Sequence, residues 1–225
     1  MYNIRSSRAQ LAFLSVIAAS FVLASSTKAV LVTWELNPQG LNQDVGSNSV
    51  TLTQYGYSIV ASSFNANGTP VNLYFKNGGP DELGLGVVST PHHELEAFNG
   101  APAQFIQLNL SALFAHGGVT NGQIQVDSVQ GNSNDTFTIY GSNTAGVLGT
   151  QIGTVYDSSS DQVFIPIPQF GAYKYVSIGA LSGDVLPEAF AANCTVIPEM
   201  SALLPILGLF SAIGVSRLLR RRALA

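Results

Sequence analysis

The 225-residue chain is poor in charged residues, which make up 10% of it, and its formal net charge is −4. The charge is unevenly spread, because residues 30–195 hold twelve of the thirteen acidic residues and two of the nine basic ones, a formal net charge of −10. An acidic stretch of this kind repels phosphate backbones, which argues against nucleic acid as a partner. Cys194 is the single cysteine, so no disulfide can form within the chain and a folded domain depends on its apolar core.

The N-terminal segment is typical of a secretory signal peptide. Arg5 and Arg8 precede an apolar stretch at 11–24, and small residues follow at 25–29. A basic start, an apolar middle and small residues at a cleavage point are the three parts of such a signal. We predict a signal peptide at 1–29 with cleavage after Ala29; cleavage after Ser26 and a retained anchor are the alternatives.

A second apolar segment, at 200–219, ends in a basic cluster. Its twenty residues carry one charge, Arg217, and match the length that a membrane-spanning helix needs. Arg217 lies near the basic end, where its stem can reach the headgroups. The arginines that follow place the C-terminus in the cytoplasm. The alternative is a buried C-terminal helix, which four arginines within 217–222 disfavour.

This order of parts resembles the PEP-CTERM sorting signal of exopolysaccharide-producing Gram-negative bacteria. Pro198 and Glu199 match its Pro-Glu-Pro element, and Met200 stands where the family has the second proline. The Arg-rich tip is matched by Arg220, Arg221 and Arg222. The resemblance implies that residues 196–225 form a sorting tail that an exosortase-like enzyme processes. Because Met200 departs from the family pattern, processing of the tail stays an open question, whereas membrane anchoring is still predicted. The resemblance indicates where the protein is sent and implies no activity.

The segment between the two ends reads as short strands separated by Asn, Gly, Ser and Pro. The predicted strands are Val30–Leu36, Tyr57–Ala61, Val71–Phe75, Phe105–Leu110, Gln123–Val129, Asp135–Tyr140, Gln162–Ile167 and Tyr173–Ile178. Only Ser111–His116 favours a helix, and Asn193–Ile197 is expected to be a short tether. The pattern predicts one all-β domain at 30–195, an antiparallel β-sandwich with a jelly-roll-like topology.

Three segments of this domain resemble the strands of exported PEP-CTERM ectodomains with a galactose-binding-like sandwich. They are Phe105–Ser111, Ile124–Val129 and Phe137–Asn143, and Gly78–Gly86 is similar to a glycine-rich acidic element of such proteins. The resemblance implies a jelly roll associated with carbohydrate and no assigned activity.

The densest polar cluster combines carboxylates, histidines and a glycine-rich turn. Its members are Asp81, Glu82, His92, His93, Glu94 and Glu96. In a strand, His92, Glu94 and Glu96 would share one face. Carboxylates with backbone carbonyls suit calcium, whereas histidines with carboxylates suit zinc. We predict a calcium site at Asp81, Glu82, Glu94 and Glu96; the alternative is a solvated acidic loop.

No serine lies in a nucleophile-elbow pattern and the chain has three histidines, so an enzyme is not expected. Tyrosines such as Tyr173 and Tyr175 could stack on sugars or fill the sandwich interior. We expect an exported structural or interaction protein of the cell surface or extracellular matrix, anchored in the membrane as a precursor. A carbohydrate-binding module, with exopolysaccharide as its partner, is the alternative, and a secreted hydrolase is less favoured.

Overall fold

The computed structural model describes residues 28–79, 81–130 and 134–196. The predicted spanning helix at 200–219 and the sorting residues Pro198, Glu199, Arg220, Arg221 and Arg222 lie outside the described residues, as does nearly all of the predicted signal peptide. No helix in the described part is both long enough and apolar enough to cross a membrane. Residues Val30–Thr195 form one compact unit.

The unit is built from short β-strands. They are β1 Lys28–Glu35, β2 Gln43–Asp44, β3 Ser49–Gln54, β4 Tyr57–Asn65, β5 Leu73–Asn77, β6 Leu83–Val87, β7 Leu95–Phe98, β8 Ala101–Pro102, β9 Gln104–Asn109, β10 Thr120–Asp127, β11 Thr136–Ser142, β12 Thr150–Gln151, β13 Ile165–Pro166, β14 Tyr175–Ser182 and β15 Asp184–Val196. One short helix, α1 at Ser111–Ala115, follows β9, and a 3-10 turn spans Ser158–Ser160. The predicted all-β class is confirmed.

The strands form three sheets. Sheet I has the order β12-β11-β14-β9-β4-β3, and its pairings are antiparallel. Sheet II has the order β13-β10-β15-β7-β8, and β1 also pairs with β15. Sheet III is the small sheet β2-β5-β6. Sheets I and II contact each other where β14 meets β7 and β8, which gives a β-sandwich-like arrangement.

The core lies between the inward faces of these sheets. In β4 the buried Tyr57, Ile59 and Ala61 alternate with half-buried residues, which is the period-two pattern of a strand with one buried face. Trp34 of β1 is fully buried, packs on Phe190 of β15 and donates its indole N–H to the Tyr57 carbonyl at 3.1 Å. One continuous apolar cluster therefore joins β1, β4 and β15.

The longest strand, β15, corrects the predicted tether. Asn193 pairs with Thr120 of β10, Cys194 is fully buried, and the Thr195 carbonyl accepts a hydrogen bond of 2.6 Å from the Tyr57 hydroxyl. These residues are strand rather than linker. Pro187 obscured the strand in the sequence; it sits beside a shift of register between β10 and β15, a position that tolerates a residue without an N–H.

β15 also gives the unit two distinct ends. Its first residue, Asp184, pairs with Glu96 of β7, and its thirteenth, Val196, is the last described residue. Thirteen strand residues extend over about 40 Å. The Asp184 end and the Thr195 end therefore lie far apart, on opposite sides of the core.

Charged residues are unevenly distributed among the three sheets. No strand of sheet I contains a charged residue. The acidic residues of the described strands lie in sheets II and III, at Glu35, Asp44, Glu96, Asp127, Asp184 and Glu188. The acidic residues within strands therefore all belong to sheets II and III, and the strands of sheet I are uncharged.

Candidate functional site

A polar cleft of about 240 Å³ opens at the Asp184 end of β15. It is lined by Lys76, Glu82, His92, Glu94, Ser128, Gln130, Asp135 and Asp184. The hairpin of β5 and β6 supplies the first two, and the turn before β7 supplies the next two. The other side is closed by the end of β10, the start of β15 and Asp135, which precedes β11 of sheet I. The cleft thus gathers side chains from the ends of strands in all three sheets.

Lys76 is the centre of the cleft. Its ammonium nitrogen lies 3.0 Å from Glu82 Oε2 and also donates a hydrogen bond to Glu94 Oε1. Ser128 Oγ donates to the same Glu94 oxygen at 3.1 Å. The Glu94 side chain is 4% exposed and that of Lys76 is 14% exposed. A single cation therefore holds two carboxylates, one of which is almost completely removed from water.

Two opposing effects set the pKa values of Lys76 and Glu94: burial, which disfavours the charged form of each group, and the attraction between the two charges. Burial raises the pKa of Glu94, and the hydrogen bond and charge of Lys76 offset only part of that effect, while Asp184 adds to it. For Lys76, burial pushes the pKa down, but hydrogen bonds and charges from Glu94 and Glu82 outweigh it and raise the pKa overall. Lys76 is therefore held as an ammonium ion, and Glu94 is the group whose ionisation depends on it.

A glycine allows the turn that carries Glu94 to approach β6. A Cβ atom on Gly86 would lie 1.7 Å from the His93 carbonyl oxygen, well inside any real contact. His93 has a positive φ of 60° and stacks on Tyr74 of β5, with ring centroids 3.8 Å apart. Gly86 thus lets the His93 backbone lie directly on the strand, which directs Glu94 towards Lys76.

The four carboxylates predicted to bind calcium do not converge. Glu82 and Glu94 meet, but at Lys76. Asp81 accepts a hydrogen bond of 2.8 Å from Gln162, and Glu96 lies on β7 with its N–H bonded to the side chain of Gln104. Within residues 28–79, 81–130 and 134–196 there is no group of three or more His, Cys, Asp or Glu arranged to hold a metal ion. Calcium binding here stays a prediction that this arrangement does not support.

His92 does not share a strand face with Glu94 and Glu96 as predicted, because β7 begins only at Leu95. His92 is exposed and lines the cleft, whereas His93 turns away to Tyr74. Lys76 is the residue that reasoning from the sequence missed. The signal was present, since Lys76 is one of two lysines in an otherwise acidic domain.

A second carboxyl pair lies outside the cleft, between β10 and β15. Asp127 is fully buried, and its Oδ2 accepts a hydrogen bond of 3.4 Å from the Leu83 N–H. Burial, followed by a hydrogen bond and the charge of Glu188, raises the pKa of Asp127 to about 8. Glu188 also accepts a hydrogen bond from Gln125. Asp127 is therefore protonated at neutral pH, and its carboxyl can donate a hydrogen bond to Glu188.

The tyrosines predicted as a sugar platform lie at the start of β14. Tyr175 is half-buried and faces Asn109 and Ser142 across the strands. Tyr173 precedes the strand, and its ring covers Gly141, where a Cβ atom would lie 2.4 Å away. Trp34 is buried in the core. Of the aromatic side chains described, Tyr55 and Phe98 are the strongly exposed ones, at 76% and 69%.

The cleft is equipped for polar recognition. Lys76 is paired with both Glu82 and Glu94, and the exposed His92 and Gln130 and the partly exposed Asp184 also line the cleft. Such groups donate hydrogen bonds to, or accept them from, hydroxyl, amide or ammonium groups.

Comparison of the chain with family models, with curated proteins and with solved structures gives no match.

Proposed function

We propose that this chain is an exported structural or interaction protein of the cell surface or extracellular matrix, which presents one acidic all-β domain. The observation that carries the proposal is the order of parts along the chain, in which one acidic all-β unit at Val30–Thr195 lies between two apolar segments. Within that unit, the cleft opens at the Asp184 end of β15, remote from Thr195.

The proposal also includes a jelly-roll topology. Successive strands change sheets, with β9 in sheet I, β10 in sheet II and β11 in sheet I, and again from β14 to β15. This alternation supports two sheets wound together by crossing connections. A turn at Gly183, which has a positive φ of 63°, makes the last crossing.

Fractionation of the full-length precursor tests the anchoring. We expect it in the membrane fraction, and we expect truncation after Thr195 to give a soluble exported protein. The reason is the twenty-residue apolar segment at 200–219. An intact precursor that is soluble without detergent would remove the basis of the proposal.

Sequencing the N-terminus of the exported protein tests the predicted cleavage after Ala29, with cleavage after Ser26 as the alternative.

Processing of the tail is tested at Met200. With an exosortase supplied in the same cells, Met200→Pro restores the Pro-Glu-Pro element, and we expect it to raise the fraction of protein released from the membrane. Glu199→Ala in the same background is the matched control and should lower it. Equal release of the natural chain and the two variants would show that the exosortase does not process this tail, and the tail would then be a membrane anchor alone.

The polar cleft favours carbohydrate binding as the second candidate function. Sugar hydroxyls match the exposed His92 and Gln130 and the partly exposed Asp184. A glycan array probed with the exported protein separates this from a purely structural role, because binding at millimolar affinity or tighter to a defined sugar supports it. His92→Ala together with Gln130→Ala should abolish that binding, and retained binding would place it elsewhere. Turnover of a polysaccharide or peptide would instead support a secreted hydrolase.

A further inference from the structure

The strand β3 ends sheet I with an open edge. Its pairing with β4 is unbroken from Ser49 to Gln54, and no other strand of the described part pairs with its outer side. The Ser63 N–H bonds the Asn48 carbonyl, and hydrogen-bonded positions alternate along an antiparallel pair. The backbone groups of Thr51 and Thr53 therefore point away from β4, towards solvent.

The other edges of these sheets are short, interrupted or covered. β6, the second edge of sheet III, has five uncharged residues, but four of them are buried and the backbones of Pro187 and His93 lie against Gly84 and Gly86. β12, β13, β8 and β2 have two residues each; β13 and β8 contain proline, and β2 contains an aspartate. β1 is longer but carries Glu35. Prolines, charges and short length are the devices that protect sheet edges from pairing with other chains. β3 has six residues, no proline, no charge and no bulge.

The surroundings of β3 are also uncharged. No residue from 45 to 75 is charged, and the same holds for every strand of sheet I. Two copies of a domain with a formal charge of −10 repel each other wherever their acidic surfaces meet. Sheet I is the side on which two copies can approach without placing charge against charge.

We propose that β3 is a self-association edge, at which β3 of a second copy adds in antiparallel orientation. The outward backbone positions must face each other, which sets Thr51 opposite Thr51 of the second copy and Ser49 opposite Thr53. The Ser49 N–H, which donates to the Ser47 hydroxyl at 3.2 Å within the chain, exchanges that exposed bond for one to the second copy. This register places Val50 opposite Leu52 on the inner face, where both already pack on the core. The two sheets I become one continuous sheet about a two-fold axis. The inference stands on the sheet edge alone and holds whether or not the chain is exported.

The mass of the full chain in mild detergent tests the proposal. We expect two chains per particle for the natural sequence. Thr51→Pro removes the outward N–H without touching a bond to β4, and Thr51→Lys adds a charge at the edge. Both should give one chain per particle. Thr150→Lys, on the exposed β12 at the opposite edge of sheet I, is the matched control and should keep two. A natural chain that is single, or Thr51 variants that remain paired, would overturn the proposal.

Cross-linking tests the register and the identity of the partner. Thr51→Cys places two thiols next to each other across the proposed axis, whereas the natural Cys194 is buried. A short bis-maleimide should link two copies of the Thr51→Cys chain and should not link Thr150→Cys. Adducts with a different host protein in place of the second copy would show that the edge takes another partner, and would contradict the proposal.

Discussion

Lys76 is the side chain that holds the cleft together, because it is paired with two carboxylates. Glu82 and Glu94 approach it from the two sides, and Glu94 has little contact with water. Removing one member of a buried ion pair leaves the other charge without compensation, which costs more than the pair itself contributes. The cleft is therefore sensitive to the loss of its cation.

Lys76→Met keeps the length of the side chain and removes its charge. We expect the free energy of unfolding to fall by about 3–5 kcal/mol, because Glu94 then stays buried without a partner cation. Urea denaturation of the exported form measures it. Lys174→Met, at an exposed lysine outside the cleft, is the matched control and should change stability by less than about 0.5 kcal/mol. Equal, small effects of the two changes would contradict the role given to Lys76.

Asp127 makes stability depend on pH. The pKa of its carboxyl is about 8 in the folded chain against an ordinary 3.8, so between these values the folded state holds a proton that the unfolded state lacks. Stability from this group is therefore present at low pH and is lost as pH rises towards 8. Above that value both states are ionised and the effect levels off.

Asp127→Asn removes this titration, because the amide is neutral at every pH. We expect the free energy of unfolding of the variant to fall less steeply between pH 4 and pH 8 than that of the natural chain, the remaining slope coming from Glu94 and Asp161, whose pKa values burial also raises. Urea titrations across this range measure the slope. Asp157→Asn is the control: hydrogen bonds from Ser159 lower the pKa of Asp157, so it is ionised in both states there. Identical slopes for Asp127→Asn and the natural chain would contradict the assignment.

At the scale of the elements, the β5–β6 hairpin builds the cleft through its glycines. Gly86→Ala would set a methyl group against the His93 carbonyl, and a backbone atom cannot rotate away. We expect a loss of about 3 kcal/mol in unfolding free energy, at the upper end of overpacking effects. Gly46→Ala is the comparison, because its Cβ meets nothing within 4 Å and its cost, about 1 kcal/mol, comes from the positive φ of 71° alone. A larger effect at Gly46 than at Gly86 would show that the turn yields.

The sequence predicted elements where local pattern decides and missed those that depend on distant partners. The alternation in Tyr57–Ala61 predicted β4, and Ser111–His116 predicted α1. The whole of β15 was missed, because it is stabilised by pairing with β10 and β1 more than by a pattern in its own residues. The pair of Asp127 and Glu188 arises from the same strand pairing. β3 was also missed, although only Tyr55 and Gly56 separate it from β4. The sequence showed the cluster of carboxylates. It did not show the pairing of Lys76 with Gly84, which brings the Lys76 ammonium group to that cluster.

At the scale of the whole molecule, the uneven charge seen along the chain becomes an uneven surface. The strands of sheet I contain no charged residue, while the acidic residues within strands lie in sheets II and III, and Glu82, Glu94 and Asp135 lie in loops that line the cleft. Like charges that lie close together destabilise the folded state through repulsion, and salt screens that repulsion. Folding and the proposed pairing at β3 should therefore both be opposed by this repulsion at low ionic strength.

Raising NaCl from about 0.01 M to about 0.1 M shortens the screening length from about 30 Å to about 10 Å. We expect the thermal midpoint of the exported form to rise across this range, because repulsion among the acidic residues weakens. The dissociation constant for pairing through β3 should fall over the same range, because a screening length of about 30 Å lets the acidic residues of the two copies repel each other although none lies in a strand of sheet I. Between about 0.1 M and about 1 M, where the screening length falls from about 10 Å to about 3 Å, it should change little, because no charge lies at the β3 edge. Melting curves and sedimentation of the same samples measure both quantities. A midpoint that does not move would mean that the acidic surface is already compensated. Pairing that keeps strengthening steeply above about 0.1 M would mean that acidic residues face each other at short range, which places the interface away from β3.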